Sequence, residues 1–124
     1  MIQQRPKHLN LLQIQLPLPG VVSILHRVSG AGLFLFIPFA LFLFETSLAS
    51  EEGFEAIRQV MGGGFARLIL IGLLWALLHH FFAGLRYLAM DLHLCLDLPQ
   101  ARRSSKLVLA ASLSLTVGLG AWLW

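Results

Sequence analysis

The stretch Leu77–Asp91, LLHHFFAGLRYLAMD, sets two histidines, an arginine, a tyrosine and an aspartate in or against a run otherwise apolar enough to lie in lipid. Ionisable groups at that depth are costly, so each marks a candidate site. At about 100° per residue, His80, Gly84, Tyr87 and Asp91 share one narrow helical stripe, and His79, Arg86, Met90 and His93 share a neighbouring one. An imidazole followed one turn later by glycine suits a flat cofactor lying against the backbone, because glycine has no Cβ to hold a ring off. His80 therefore reads either as a haem ligand or as a hydrogen-bond partner of a neighbouring helix, and the residues alone leave both open. His79 lies about 100° further round, so the two imidazoles cannot face one metal and one of them is structural. A second axial ligand has to come from elsewhere, from His26 or from a partner chain.

The second chemical stretch is SILHRVSG, residues 23–30. Ser23, Arg27 and Gly30 fall on one helical face at i, i+4 and i+7, with His26 beside them. A guanidinium there can pair with a cofactor carboxylate, such as a haem propionate, or with a quinone oxygen. Ser23 offers a hydroxyl to the same oxygen, or caps a helix start. Gly30 and Gly32 permit close approach of another helix or a cofactor. Arg86 reads first as a basic anchor whose stem lies in lipid and whose head reaches water. Tyr87 and Asp91 read as interfacial residues, and Cys95 as inert.

These residues need a membrane scaffold. The 124-residue chain is 57% hydrophobic and 12% charged, with a mean hydropathy of +0.78, outside the range of soluble globular domains. One cysteine excludes an internal disulfide, a self-contained iron–sulfur cluster and a structural zinc. The chain has neither a Gly-rich dinucleotide fingerprint nor a P-loop. Flavin, nucleotide or cluster chemistry therefore belongs to a partner. The basic residues do not form a patch interleaved with aromatics, so nucleic acid is not an expected ligand.

The expected fold is all-α, with three transmembrane helices forming half of a bundle completed by a partner subunit. One membrane-anchor domain is expected over residues 1–124. A polar arm, residues 1–20, ends in prolines that favour extended geometry. Span one covers about residues 21–48 and contains Pro38, which removes a backbone bond. Residues 49–64 form an acidic loop in which FEAIRQVM has a short helical pattern ended by glycines. Span two covers about 65–93, with no charged residue from Leu68 to Leu85. Residues 94–104 form a loop with Pro99 as breaker. Span three covers about 105–124. Its small residues, Ala110, Ala111, Ser112, Ser114, Gly118 and Gly120, suit helix packing, and Trp122 and Trp124 suit the interface. Arg5, Lys7 and Arg27 flank the start of span one, and Arg86, Arg102, Arg103 and Lys106 flank the second loop. Positive charge then puts the N-terminus and second loop in the cytoplasm and the C-terminus outside. Both chemical stretches fall toward that cytoplasmic side, where they can meet. The lack of a leader-like segment favours a bacterial inner (plasma) membrane.

The SILHRVSG stretch, preceded by RP at 5–6 and followed by HxxxGxR at 80–86 and by Asp91, resembles the cytochrome b556 membrane-anchor subunits of succinate dehydrogenase (complex II, succinate:quinone oxidoreductase). The resemblance covers the whole chain. It implies that His80 is one axial ligand of haem b, the other coming from a second small membrane-anchor subunit. It implies that Ser23 and Arg27 help form the site of ubiquinone or menaquinone, and that His26 and Arg27 lie near the haem propionates. Gly84 would pack on the haem, while His79, Arg86 and Asp91 are further candidates. The chain itself would hold no succinate-oxidising residue, since electrons would arrive from a flavoprotein subunit through an iron–sulfur subunit. One departure from the pattern is Tyr87, where relatives often carry histidine. Two other readings remain: an anchor of quinol:fumarate reductase, and a non-redox membrane subunit using its histidines as a proton relay.

Overall fold

A computed structural model describes residues 15–94 and 96–123. Four helices account for nearly all of them: α1 Leu18–Ala49, α2 Glu51–Gly62, α3 Gly64–Asp91 and α4 Leu98–Leu123. There is no strand among the described residues. Helices α1, α3 and α4 are long and apolar enough to cross a membrane. At about 1.5 Å per residue each exceeds the roughly 30 Å hydrocarbon core. Helix is the expected state for such runs, because lipid offers backbone groups no hydrogen-bond partner.

The helix starts explain themselves locally. Pro17 is extended (φ −65°, ψ 152°), and its carbonyl accepts from the Gly20 and Val21 amides at 2.8 and 3.2 Å. Pro19 then lies in the first turn, where a missing N–H costs nothing. The same reason corrects the expected loop at 94–104. Pro99 sits in the first turn of α4, which begins at Leu98 rather than at residue 105. Pro99 opens the helix instead of breaking it.

Single residues make the next two connections. Ser50 is extended between α1 and α2, and its hydroxyl oxygen accepts from the Gly53 amide at 3.0 Å. Glu51 and Glu52 follow in the first turn, where the helix dipole favours negative charge. Gly63 connects α2 to α3. The other end of α3 closes through His93, whose φ of 62° is left-handed. The His93 and Leu94 amides donate back to Met90 and Ala89 at 2.9 and 3.0 Å, the two bonds of a Schellman cap. His93 therefore lies past the helix and does not extend the α3 stripe.

Helix α3 packs against both α1 and α4, and α1 also touches α4. The buried apolar core within the chain is small: Val22, Ala83 and Val108, one from each span. Large side chains such as Phe34, Leu35 and Phe44 are exposed, as expected where lipid or another subunit provides the surroundings. The packing face of α4 runs through Ser105, Val108, Ser112 and Thr116. Of the six small residues expected to pack, only Ser112 is buried; Gly118 and Gly120 meet nothing. The Ser105 and Thr116 hydroxyls both donate to their own helix, to Ala101 and Ser112 carbonyls at 2.7 Å. This polar face is therefore satisfied internally and free to pack. The arm at residues 1–14, including Arg5, Lys7 and His8, lies outside the described residues, as do Cys95 and Trp124.

Candidate functional site

Because α1 and α3 run in opposite directions, the first turns of α1 and the last turns of α3 share one end of the bundle, and α4 starts there. The two chemical stretches do meet. The His26 and His80 rings stack with centroids 4.2 Å apart and planes 11° apart. Nδ1 of His80 lies 3.0 Å from the His26 carbonyl oxygen. Ser29, buried on α1, donates to the same carbonyl at 3.0 Å and lies 3.5 Å from His80 Nδ1. With Nδ1–H donating to the carbonyl, Nε2 of His80 holds the free lone pair.

Gly30 makes this approach possible. A Cβ there would stand 2.7 Å from Cε1 and 3.0 Å from Nδ1 of His80. At Gly84 a Cβ would meet His26 within the chain, at an ordinary 3.8 Å from Nε2. Gly32 meets nothing. At the α1–α3 junction, then, the glycine required by close packing is Gly30.

The two neighbouring histidines have opposite fates. The buried stripe of α3 is His79, Ala83 and Arg86, at i, i+4 and i+7. His79 is wholly buried beside the Trp75 ring, centroids 5.2 Å apart. Neither of its ring nitrogens has a partner among the described residues. His80 is only half-buried, and its Nε2 is neither hydrogen-bonded nor sealed among the described residues. Of the two adjacent histidines, His80 is the one that a ligand from outside the chain can reach.

Arg86 departs from the expected lipid-anchor role. It is 8% exposed and its Nε donates to Ser104 of α4 at 3.0 Å. Ser104 in turn donates to the Ala101 carbonyl at 3.1 Å. The Arg86 guanidinium carbon lies 5.4 Å from the centre of the Tyr87 ring, and the Tyr87 and His26 centroids are 5.1 Å apart. The Tyr87 hydroxyl is buried and without a partner among the described residues.

Other candidates lie further out. Ser23 is half-buried, Arg27 is exposed on α1, and Asp91 is exposed at the end of α3. None of the three is hydrogen-bonded to the histidine pair. Sequence reasoning missed Ser29, although it stands inside SILHRVSG, because a helical serine usually bonds only its own backbone. Among the described residues no three His, Cys, Asp or Glu side chains gather as a metal site. The arrangement offers one oriented, accessible imidazole, which can ligate a metal or accept a proton.

Residues 1–119 match the family described as succinate dehydrogenase/fumarate reductase transmembrane subunit. The chain is 37% identical over 122 residues to the succinate dehydrogenase cytochrome b556 subunit of Coxiella burnetii, covering 98% of both chains. It is 33% identical over 113 residues to the subunit of the same name from Paracoccus denitrificans, covering 91% of this chain and 87% of the relative.

Proposed function

The chain belongs to the succinate dehydrogenase/fumarate reductase transmembrane subunits, and from that membership we propose that it is the cytochrome b556-type anchor of a succinate:ubiquinone oxidoreductase. In this reading the 124 residues form one membrane-anchor domain of a bacterial inner membrane, with its N-terminus in the cytoplasm. A second small membrane subunit completes the bundle, and the iron–sulfur and flavoprotein subunits deliver electrons from succinate.

The observation that carries the reading is the hydrogen bond of His80 Nδ1 to the His26 carbonyl. A metal-ligating histidine usually donates its second ring nitrogen to a carbonyl or carboxylate, which sets tautomer and ring angle. His80 has that arrangement, and its Nε2 is open. The residues therefore fit haem b, with His80 as this chain's axial ligand and the other supplied by the second subunit. When bound, the haem would hold and pass single electrons. Ser29 and the His26 carbonyl keep the imidazole oriented, and Gly30 leaves room for its ring. Arg27, exposed on α1 beside His26, is free to meet a quinone oxygen or a propionate, and half-buried Ser23 stands one turn before it on the same face.

The test is a dithionite-reduced minus oxidised spectrum of the complex purified in mild detergent. A b-type band with a flavoprotein, an iron–sulfur subunit and a second small membrane subunit is expected. A colourless complex with those partners would leave the quinone site as the whole function. A colourless chain without them would overturn the reading. Comparing succinate oxidation with fumarate reduction by the same complex separates the two physiological directions.

A further inference from the structure

Arg86 holds a charge that nothing in the described chain balances. Its side chain is more than nine-tenths buried. The ion pair found among the described residues, Arg58 with Glu55, is on α2. The nearest acids along the chain, Asp91 and Asp97, are exposed. Ser104 holds the guanidinium by a neutral hydroxyl, which fixes its position without cancelling its charge. A sheltered charge acts over a longer distance than a solvated one, because water and salt do not screen it.

Arg86 is also connected to the ligand imidazole. Its guanidinium lies over Tyr87, Tyr87 lies against His26, and His26 stacks on His80. Along α3, Arg86 is six residues from His80, a rise of about 9 Å. We propose that Arg86, clamped to α4 by Ser104, is a positioning residue whose fixed positive charge raises the reduction potential of the haem at His80. The inference rests on the haem reading above. Reduction adds one electron and lowers the charge of the haem by one, so a nearby fixed cation favours the ferrous state. Helix α4, which supplies no ligand, thereby takes part in setting the redox centre. A positively charged Arg86 simply reaching water would have no such effect.

The test is potentiometric titration of the haem in the assembled complex. Arg86→Gln removes the charge. Ser104→Asp keeps the guanidinium but pairs it with a carboxylate. Both are expected to lower the midpoint, with about tenfold less ferrous relative to ferric haem at the wild-type midpoint, as for a unit charge near 10 Å at an effective dielectric of about 20. Arg86→Lys, which keeps the charge, is expected to stay near wild type. Arg103→Gln removes an exposed charge at the same end and is expected to change nothing. The proposal is overturned by an unchanged or raised midpoint in either charge-removing variant, or by an equal shift in Arg103→Gln. Loss of haem from both variants also overturns it, because a residue acting through charge leaves the His80 ligation intact. A wild-type complex without haem would instead sink the haem reading, and this proposal with it.

Discussion

The His26 carbonyl oxygen and the His80 ring nitrogen, 54 residues apart in the chain, lie 3.0 Å from each other. The same two residues stack ring on ring. His26 thus holds His80 twice, through its backbone and through its side chain. The carbonyl has two lone pairs and also takes the Ser29 hydroxyl. The junction of α1 and α3 therefore sets the angle of His80, the half-buried member of the adjacent pair.

Replacing each of the adjacent histidines should have different consequences. His80→Ala should abolish the haem b band of the assembled complex. His79→Leu, which replaces an enclosed unpartnered imidazole with an apolar side chain, should retain the band. Haem content per complex, measured as the pyridine haemochrome, checks both. Full haem in His80→Ala would reject the ligand assignment.

Gly30 and Gly32 give a matched pair. Alanine at Gly30 places a methyl group 2.7 Å from the His80 ring and should cost about 1–3 kcal/mol, as overpacking does, with weaker haem retention. Alanine at Gly32, where nothing lies within 4 Å, should be neutral or stabilise by up to about 1 kcal/mol through helix propensity. Thermal unfolding in detergent, followed by circular dichroism and haem absorbance, compares them. Equal behaviour would mean that His80 does not pack on Gly30.

Ser23→Ala and Arg27→Leu should each slow succinate-dependent quinone reduction by about 10- to 100-fold, the usual loss on removing a hydrogen bond to a charged group or its equivalent. Succinate-driven reduction of a dye that takes electrons from the soluble subunits should be unaffected. Wild-type quinone kinetics and inhibitor sensitivity in both variants would remove these residues from the quinone site.

The α1–α2 corner should be equally selective. A Cβ at Gly53 would collide with the Thr46 carbonyl, a backbone atom that cannot move aside cheaply. Gly53→Ala should lower the stability of the complex by about 1–3 kcal/mol. Ser50→Ala, which removes only the cap to the Gly53 amide, should cost about 1 kcal/mol. Unfolding midpoints in the same detergent rank the two, and a stable Gly53→Ala would show that the corner is looser than its geometry.

The sequence by itself determined that three segments span a membrane, because lipid leaves an 18-residue apolar run little choice but helix. It also determined that SILHRVSG and HHFFAGLRY share one end of the bundle, since successive spans alternate direction. The angular separation of His79 and His80 was likewise legible from the helical repeat. What the repeat cannot state is the absolute rotation of α3 about its own axis. That rotation is decided by packing against α1 and α4 at once. It encloses His79 with Arg86, leaves His80 at the α1 junction, and makes Gly30 rather than Gly32 the close-approach glycine. Ser104 shows the same limit: residues 94–104 read as a loop with Pro99 as breaker. Only the folded chain brings that hydroxyl to Arg86.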